Sequence, residues 1–137
     1  MFEYERQAFE EITQSVLRQA RELGASAAAT DISESSGLMV NVRKGSVETI
    51  EQTRDKGLGV TIYLGTRRGH SSTSDFSAGA VAETVRAAYD IARFTGEDPF
   101  AGLPEPDTLA RQFPDLDLFH PWRISVDDAI ALAQRIE

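Results

Sequence analysis

The sequence contains no cysteine, which removes disulfides, thiolate nucleophiles and cysteine-bound zinc together. A reducing, cytoplasmic location is the expectation that follows. Histidine is almost as scarce, with only His70 and His120, and neither belongs to a His-Glu-x-x-His pair of the kind that grips zinc from one helix. No run approaches the roughly 18 consecutive apolar residues that cross a bilayer. The opening Met-Phe-Glu-Tyr-Glu-Arg lacks the basic start and apolar stretch of an export signal, so neither membrane insertion nor secretion is expected. Basic charge is short as well, with 14 Lys and Arg against 22 Asp and Glu and a net charge of -8. Sequence-independent binding to a polyanion needs the opposite sign, and no nucleic-acid partner is expected.

What is present suits one ordinary core. A chain of 137 residues, 41% apolar, removes roughly two-thirds of its unfolded surface from water on folding. Phe2, Phe9, Ile12, Val16, Ala20 and Leu23 recur at helical spacing with Glu and Arg between them, which predicts an amphipathic helix closed by a left-handed Gly24. Residues 25–32 are small or β-branched and read as a strand, and residues 33–37 read as a polar turn. Leu38, Val40 and Val42 then alternate with polar neighbours, the period of a half-buried strand. Lys44-Gly45-Ser46 is a hairpin turn, residues 47–54 return, and Asp55-Lys56-Gly57 reads as a second turn. Leu58, Val60, Ile62 and Leu64 give the clearest alternation in the chain. Gly65-Thr66 turns into a polar strand over residues 67–74, suited to a sheet edge.

Ser77 is an N-cap for a helix striped by Val81, Val85, Ala88, Ile91 and Ala92, with Gly96 ending it. Residues 97–124 carry all five prolines and no periodicity, a length that points to docking or linkage. Asp115-Leu116-Asp117-Leu118-Phe119-His120-Pro121 within it is apolar enough to pack on a neighbour. Ser125, with Asp127 and Asp128 after it, opens another helix that reads as cut short at Glu137. The expected fold class is α+β: helix, antiparallel four-stranded β-meander, helix, proline-rich segment and the start of a further helix. The expected division is residues 1–96 as the α+β domain, 97–124 as a docking or linker segment and 125–137 as the start of the next helix.

Chemistry tested residue by residue finds no catalytic set. Ser71, Ser72, Thr73 and Ser74 lack a nucleophile elbow and a base, so they read as a hydroxyl-rich strand end. Gly57-Leu58-Gly59 and the span Gly65 to Gly69 lack phosphate-loop spacing and read as turn glycines. Arg43, Lys44, Arg54, Lys56, Arg67 and Arg68 fall near strand ends, where they either solubilise hairpins or gather to bind an anion. Trp122 reads as a packing anchor. No catalytic, cofactor or metal residue is assigned. The candidate peptide contacts are Arg67, Arg68, His70, Ser72 and Ser74, because an edge strand can accept an added peptide strand.

Three stretches carry a resemblance: Gly37-Leu38-Met39-Val40-Asn41-Val42-Arg43-Lys44-Gly45 with Val47-Glu48, Gly57-Leu58-Gly59-Val60-Thr61-Ile62-Tyr63, and Ser72-Thr73-Ser74-Asp75. Ala88-Tyr89-Asp90-Ile91-Ala92-Arg93-Phe94-Thr95, Asp98-Pro99, Gly102-Leu103 and residues 114–121 continue it in the same order. Together they resemble the N-terminal region of the TldD/PmbA family, on its PmbA/TldE side, over nearly the whole chain. The resemblance implies a fragment of a much longer protein. It also implies a cytoplasmic subunit that pairs with a TldD-like partner as a heterodimeric zinc metalloprotease. Such complexes process small, unfolded or modified peptides, including antibiotic precursors and an antitoxin, and an older label calls the proteins modulators of DNA gyrase. Zinc is then held in the TldD-type subunit by a His-Glu-x-x-x-His motif and a later cysteine, none of which has a match here. The resemblance therefore implies a structural and substrate-guiding role in the complex. Its rival is a non-catalytic interaction module for assembly or regulation, and a self-contained hydrolase built on His70 or His120 with residues 71–74 is a third reading.

Overall fold

The structure, a computed structural model, describes residues 2–137, and its elements run α1 (Arg6–Glu22), β1 (Ala27–Arg43), β2 (Ser46–Leu64), β3 (Arg67–Thr73), α2 (Ala78–Phe94) and α3 (Val126–Ile136). The sheet has three strands in the order β1-β2-β3, and its hairpin connections make neighbours antiparallel. It therefore differs from the four-stranded expectation. The turns predicted at residues 33–37 and 55–57 are absent, because β1 and β2 each run straight through them. Polar residues there stay in the ladder because their side chains reach solvent, as those of Ser33, Ser35 and Ser36 do. Gly57 lacks the positive φ that marks Gly24, Gly45 and Gly65, so it makes no tight turn.

By its internal contacts the chain forms two compact units, Met1–Glu34 with Asp55–Thr108, and Ser35–Arg54 with Leu109–Glu137. The first holds the core. Leu58, Val60 and Ile62 of β2 are fully buried against Val16 and Ala20 of α1 and Val81, Val85, Ala88 and Ala92 of α2. Their spacing of two residues puts them on one face of the strand, and the helices cover that face. The remaining α2 prediction shifts by one side chain: Ile91 is 47% exposed, and Thr84 is buried with its hydroxyl donating to the Ala80 carbonyl at 2.7 Å.

Local signals set the helix ends. Gly24, at φ 90°, closes α1 while Ala25 N–H donates to the Ala20 carbonyl and Gly24 N–H to that of Arg21, the Schellman arrangement. Ser77 caps α2 by accepting from Ala80 N–H at 3.4 Å. Asp75 supports that start, since its Oδ1 accepts from Ser77 N–H at 2.8 Å. This bond, formed to the ionised carboxylate, holds the Asp75 pKa below its ordinary value. Tyr4, Phe9 and Phe76 pack ring against ring beside the core, and the Lys56 ammonium lies over Tyr4 and Phe76 at 5.0 and 5.3 Å from their centroids.

The second unit is built on the distal halves of β1 and β2. Lys44 and Gly45 both take positive φ, 51° and 72°, as a type I′ turn requires. The carboxylate of Glu137 accepts from both of their N–H groups, at 2.8 Å from Gly45, and the Gln134 side-chain amide donates to the Gly45 carbonyl at 2.9 Å. Ser125 caps α3 as expected, accepting from Asp128 N–H at 3.1 Å. Leu38, Val40, Trp122, Leu132 and Ile136 line an open cavity of about 380 Å³. No regular element occupies residues 97–124. Leu116, Leu118 and Phe119 are 66, 82 and 68% exposed there, so much of their apolar surface meets solvent.

Candidate functional site

β3 is an edge strand: it pairs with β2 alone, in the register Leu64↔Arg67 through Leu58↔Thr73. The turn between them is Gly65-Thr66, with Gly65 at φ 63°, the type II′ pattern. A two-residue hairpin makes its flanking pair, Leu64 and Arg67, a hydrogen-bonded one, and the two pair types then alternate. Arg68, His70 and Ser72, opposite Tyr63, Thr61 and Gly59, are thus the residues whose backbone N–H and C=O point away from β2. Bonds on the far side of β2 agree, because the carbonyls of Tyr63 and Gly59 accept from Ser26 and Thr30 across towards β1.

The same three side chains lie on the sheet face opposite the helices and are exposed. His70 Nδ1 is 3.0 Å from Thr61 Oγ1, a cross-strand hydrogen bond that fixes the ring. Arg67 is on the other face, where its guanidinium meets Glu97 Oε1 at 3.2 Å and the Arg93 carbonyl at 3.5 Å. Ser74 lies one residue past the strand. Of the five predicted contacts, Arg68, His70 and Ser72 come together in one row, while Arg67 and Ser74 fall outside it.

The basic group is divided rather than gathered. Arg43 pairs with Glu48, Lys56 with Glu3 and Arg67 with Glu97. Arg68 takes part in no ion pair or side-chain hydrogen bond among the described residues. Hydrogen bonding to Tyr4 is the chief reason the Lys56 pKa lies above its ordinary value, with the nearby Glu3 carboxylate adding to it.

Two glycines read as turn residues have other roles. Gly59 lies within β2, where an added Cβ would come within 2.5 Å of Asp31 Oδ1. Gly69 lies within β3 under α2, where it would meet the Ala88 carbonyl oxygen. Glycine in the middle of a strand is the sequence signal for such close approach. Residues 95–102 add a cleft beside the β2–β3 turn that the sequence did not reveal, lined in part by Tyr63, Arg68, Asp98 and Gly102.

The described residues contain no group of three or more His, Cys, Asp or Glu side chains able to hold a metal ion, so the donor set present does not fit zinc. Among the described residues no helix is long and apolar enough to cross a membrane.

Two helices over one face of an antiparallel sheet, with a polar outer edge, define an α+β domain. Residues 30–92 match the PmbA/TldA metallopeptidase domain 1 family. The chain is similar to Metalloprotease PmbA of Escherichia coli O157:H7, 48% identical over 106 residues, which are 77% of this chain and 24% of that protein. It is also similar to the Metalloprotease PmbA homolog of Haemophilus influenzae, 41% identical over 118 residues, 86% of this chain and 26% of that protein. The chain spans about a quarter of the length of these curated relatives.

Among solved structures, the fold is shared with a Bacteroides thetaiotaomicron protein described as a modulator of DNA gyrase. The TM-score is 0.81 at 22% identity, covering 93% of this chain and 29% of that one. TldE from Thermococcus kodakarensis also shares it, with a TM-score of 0.64 at 14% identity, covering 81% of this chain and 25% of that one. This chain carries an N-terminal domain of the PmbA/TldD family.

Proposed function

We propose that this chain is the N-terminal structural and substrate-guiding domain of a PmbA/TldE-like subunit in a cytoplasmic, zinc-dependent metalloprotease complex. The partner is a TldD-like subunit, which would hold the zinc and supply the activated water. The substrates are small, unfolded or modified peptides. The observation that supports guidance is the outer edge of β3, where alternate residues Arg68, His70 and Ser72 turn both backbone groups and exposed side chains outward. An extended peptide adds to such an edge through main-chain hydrogen bonds, which suits substrates that share no sequence.

The test is a full-length subunit carrying His70→Pro, produced with a TldD-like partner. Proline at an outward edge position removes one donor while leaving the β2–β3 ladder intact. Assembly on size exclusion is expected to be unchanged, with cleavage of an unfolded peptide slowed about tenfold, the effect of roughly one main-chain hydrogen bond. Cleavage at the wild-type rate would sink the guidance reading.

The exposed Phe113, Leu118 and Trp122 favour the second reading, an interaction module for assembly. Replacing these three by serine would then abolish the complex while His70→Pro left it active.

A further inference from the structure

We infer that the cleft between Arg68 and residues 95–102 receives the C-terminal carboxylate of an extended peptide added antiparallel to β3. The inference rests on the edge-strand reading above and gives it a direction. β3 runs from Arg67 to Thr73, so a strand added antiparallel to it ends beside Arg68. Antiparallel addition is the more stable choice, because the outward groups of one edge residue meet both groups of its partner.

The cleft is placed for that end. It has a volume of about 360 Å³, and Tyr63, Arg68, Thr95, Gly96, Asp98 and Gly102 are among its walls. The wall opposite the strand is tied down: Asp98 N–H donates to the Thr66 carbonyl at 3.0 Å, Glu97 pairs with Arg67, and the Thr95 hydroxyl donates to the Ile91 carbonyl at 2.8 Å. Arg68 faces this space with its guanidinium unpaired among the described residues. A guanidinium presents a planar fork of donors that matches a carboxylate in two parallel hydrogen bonds.

Asp98 sets the charge class of the ligand. Its Oδ1 is already engaged by Phe100 N–H at 2.9 Å, and its remaining negative charge opposes Arg68 within the same walls. Arg68 supplies the attraction, and the opposing Asp98 charge weighs about twice as heavily against a phosphate dianion as against a single carboxylate. The cleft therefore fits the free carboxyl end of a peptide chain, and an internal stretch of the same peptide would gain the edge bonds without the cleft.

The experiment is a fluorescence anisotropy titration of the full 137-residue chain with a labelled, unstructured decapeptide ending in leucine, made as the free acid and as the C-terminal amide. The free acid is expected to bind about five- to tenfold more tightly than the amide, a charge-assisted hydrogen bond discounted for exposure. Arg68→Gln removes that difference, and His70→Pro weakens both forms alike. Equal affinity of acid and amide, with His70→Pro still weakening both, overturns the carboxylate site and leaves the edge reading standing. A preference for the acid that survives Arg68→Gln also overturns it, since the anion is then held elsewhere. Absence of binding by either form overturns both readings.

Discussion

A β-carbon built on Gly69 would stand 2.0 Å from the carbonyl oxygen of Ala88 and 2.4 Å from the Ala92 nitrogen. The approach is backbone on backbone, between the middle of β3 and the last turns of α2, so no side chain can move aside to relieve it. Ala88 and Ala92 are themselves fully buried. Gly69→Ala is expected to destabilise the chain by at least about 3 kcal/mol, beyond the ordinary range for an added methyl, because the helix must lift from the sheet. Urea unfolding followed by circular dichroism checks this, and a midpoint within error of wild type would refute the packing described.

Acid stability should carry the signature of Asp75. Its pKa is lowered in the fold, first by accepting from Ser77 N–H and then by the Ser77 side chain, so the native state favours the ionised carboxylate. The sign follows from linkage: a lowered carboxylate pKa contributes stability that is present above the unfolded value near 3.9 and is lost as pH falls through the folded value. Asp75→Asn keeps an acceptor for Ser77 N–H but loses the charge. Its unfolding midpoint is expected to fall below wild type at pH 7 and to converge with it as pH falls through the lowered folded value. Thermal melts between pH 2 and 7 give the comparison, and parallel curves would exclude the linkage.

Lys56 makes the opposite limb visible. Its pKa is raised, chiefly by the Tyr4 hydroxyl, so its contribution is complete below the unfolded value near 10.4 and disappears as pH rises through the folded value. The ammonium also lies over the Tyr4 and Phe76 rings, an attraction that needs the charge. Lys56→Gln is expected to lower the melting temperature at pH 8 and to lose the difference from wild type as pH rises through the raised folded value. The side chain is part-exposed, so raising the salt concentration at pH 8 should shrink the gap as well.

Where the chain's local signals were strong, they located the elements. Val16 and Ala20 on α1, Ser77 at the start of α2 and Leu58, Val60 and Ile62 on β2 lie where spacing and capping chemistry put them. The strand count failed because polar residues in a run carry two meanings. Ser33 to Gly37 and Asp55 to Gly57 resemble turns by composition, yet a sheet with one solvated face takes the same residues in alternation. Only φ separates the two, and φ is positive at Gly45 and Gly65 but not at Gly57. The row formed by Arg68, His70 and Ser72 was half legible: the period-two spacing was there, but the assignment of outward backbone groups needed the Gly65-Thr66 turn and its register. The cleft at residues 95–102 was not legible, because it depends on contacts such as Asp98 N–H to the Thr66 carbonyl that no local pattern announces.

Gly59 offers the counterpart to Gly69 and a test of the same reasoning with a different outcome. An added Cβ would come within 2.5 Å of Asp31 Oδ1 and 3.1 Å of its Cγ, so the obstacle is a side chain on the neighbouring strand. Asp31 is exposed and free to take another rotamer at modest cost. Gly59→Ala is therefore expected to cost about 1 kcal/mol, offset in part by the lower flexibility of alanine in the unfolded chain. In an Asp31→Ala background the obstacle is gone, and Gly59→Ala should become neutral or stabilising. A double-mutant cycle in urea measures the coupling, expected at about 1 kcal/mol for residues in direct contact. Additive effects would mean that Asp31 does not constrain Gly59. The same cycle between Gly69→Ala and a substitution at exposed Asp31 should show no coupling, since the carbonyl of Ala88 keeps its place whatever side chain is removed from β1.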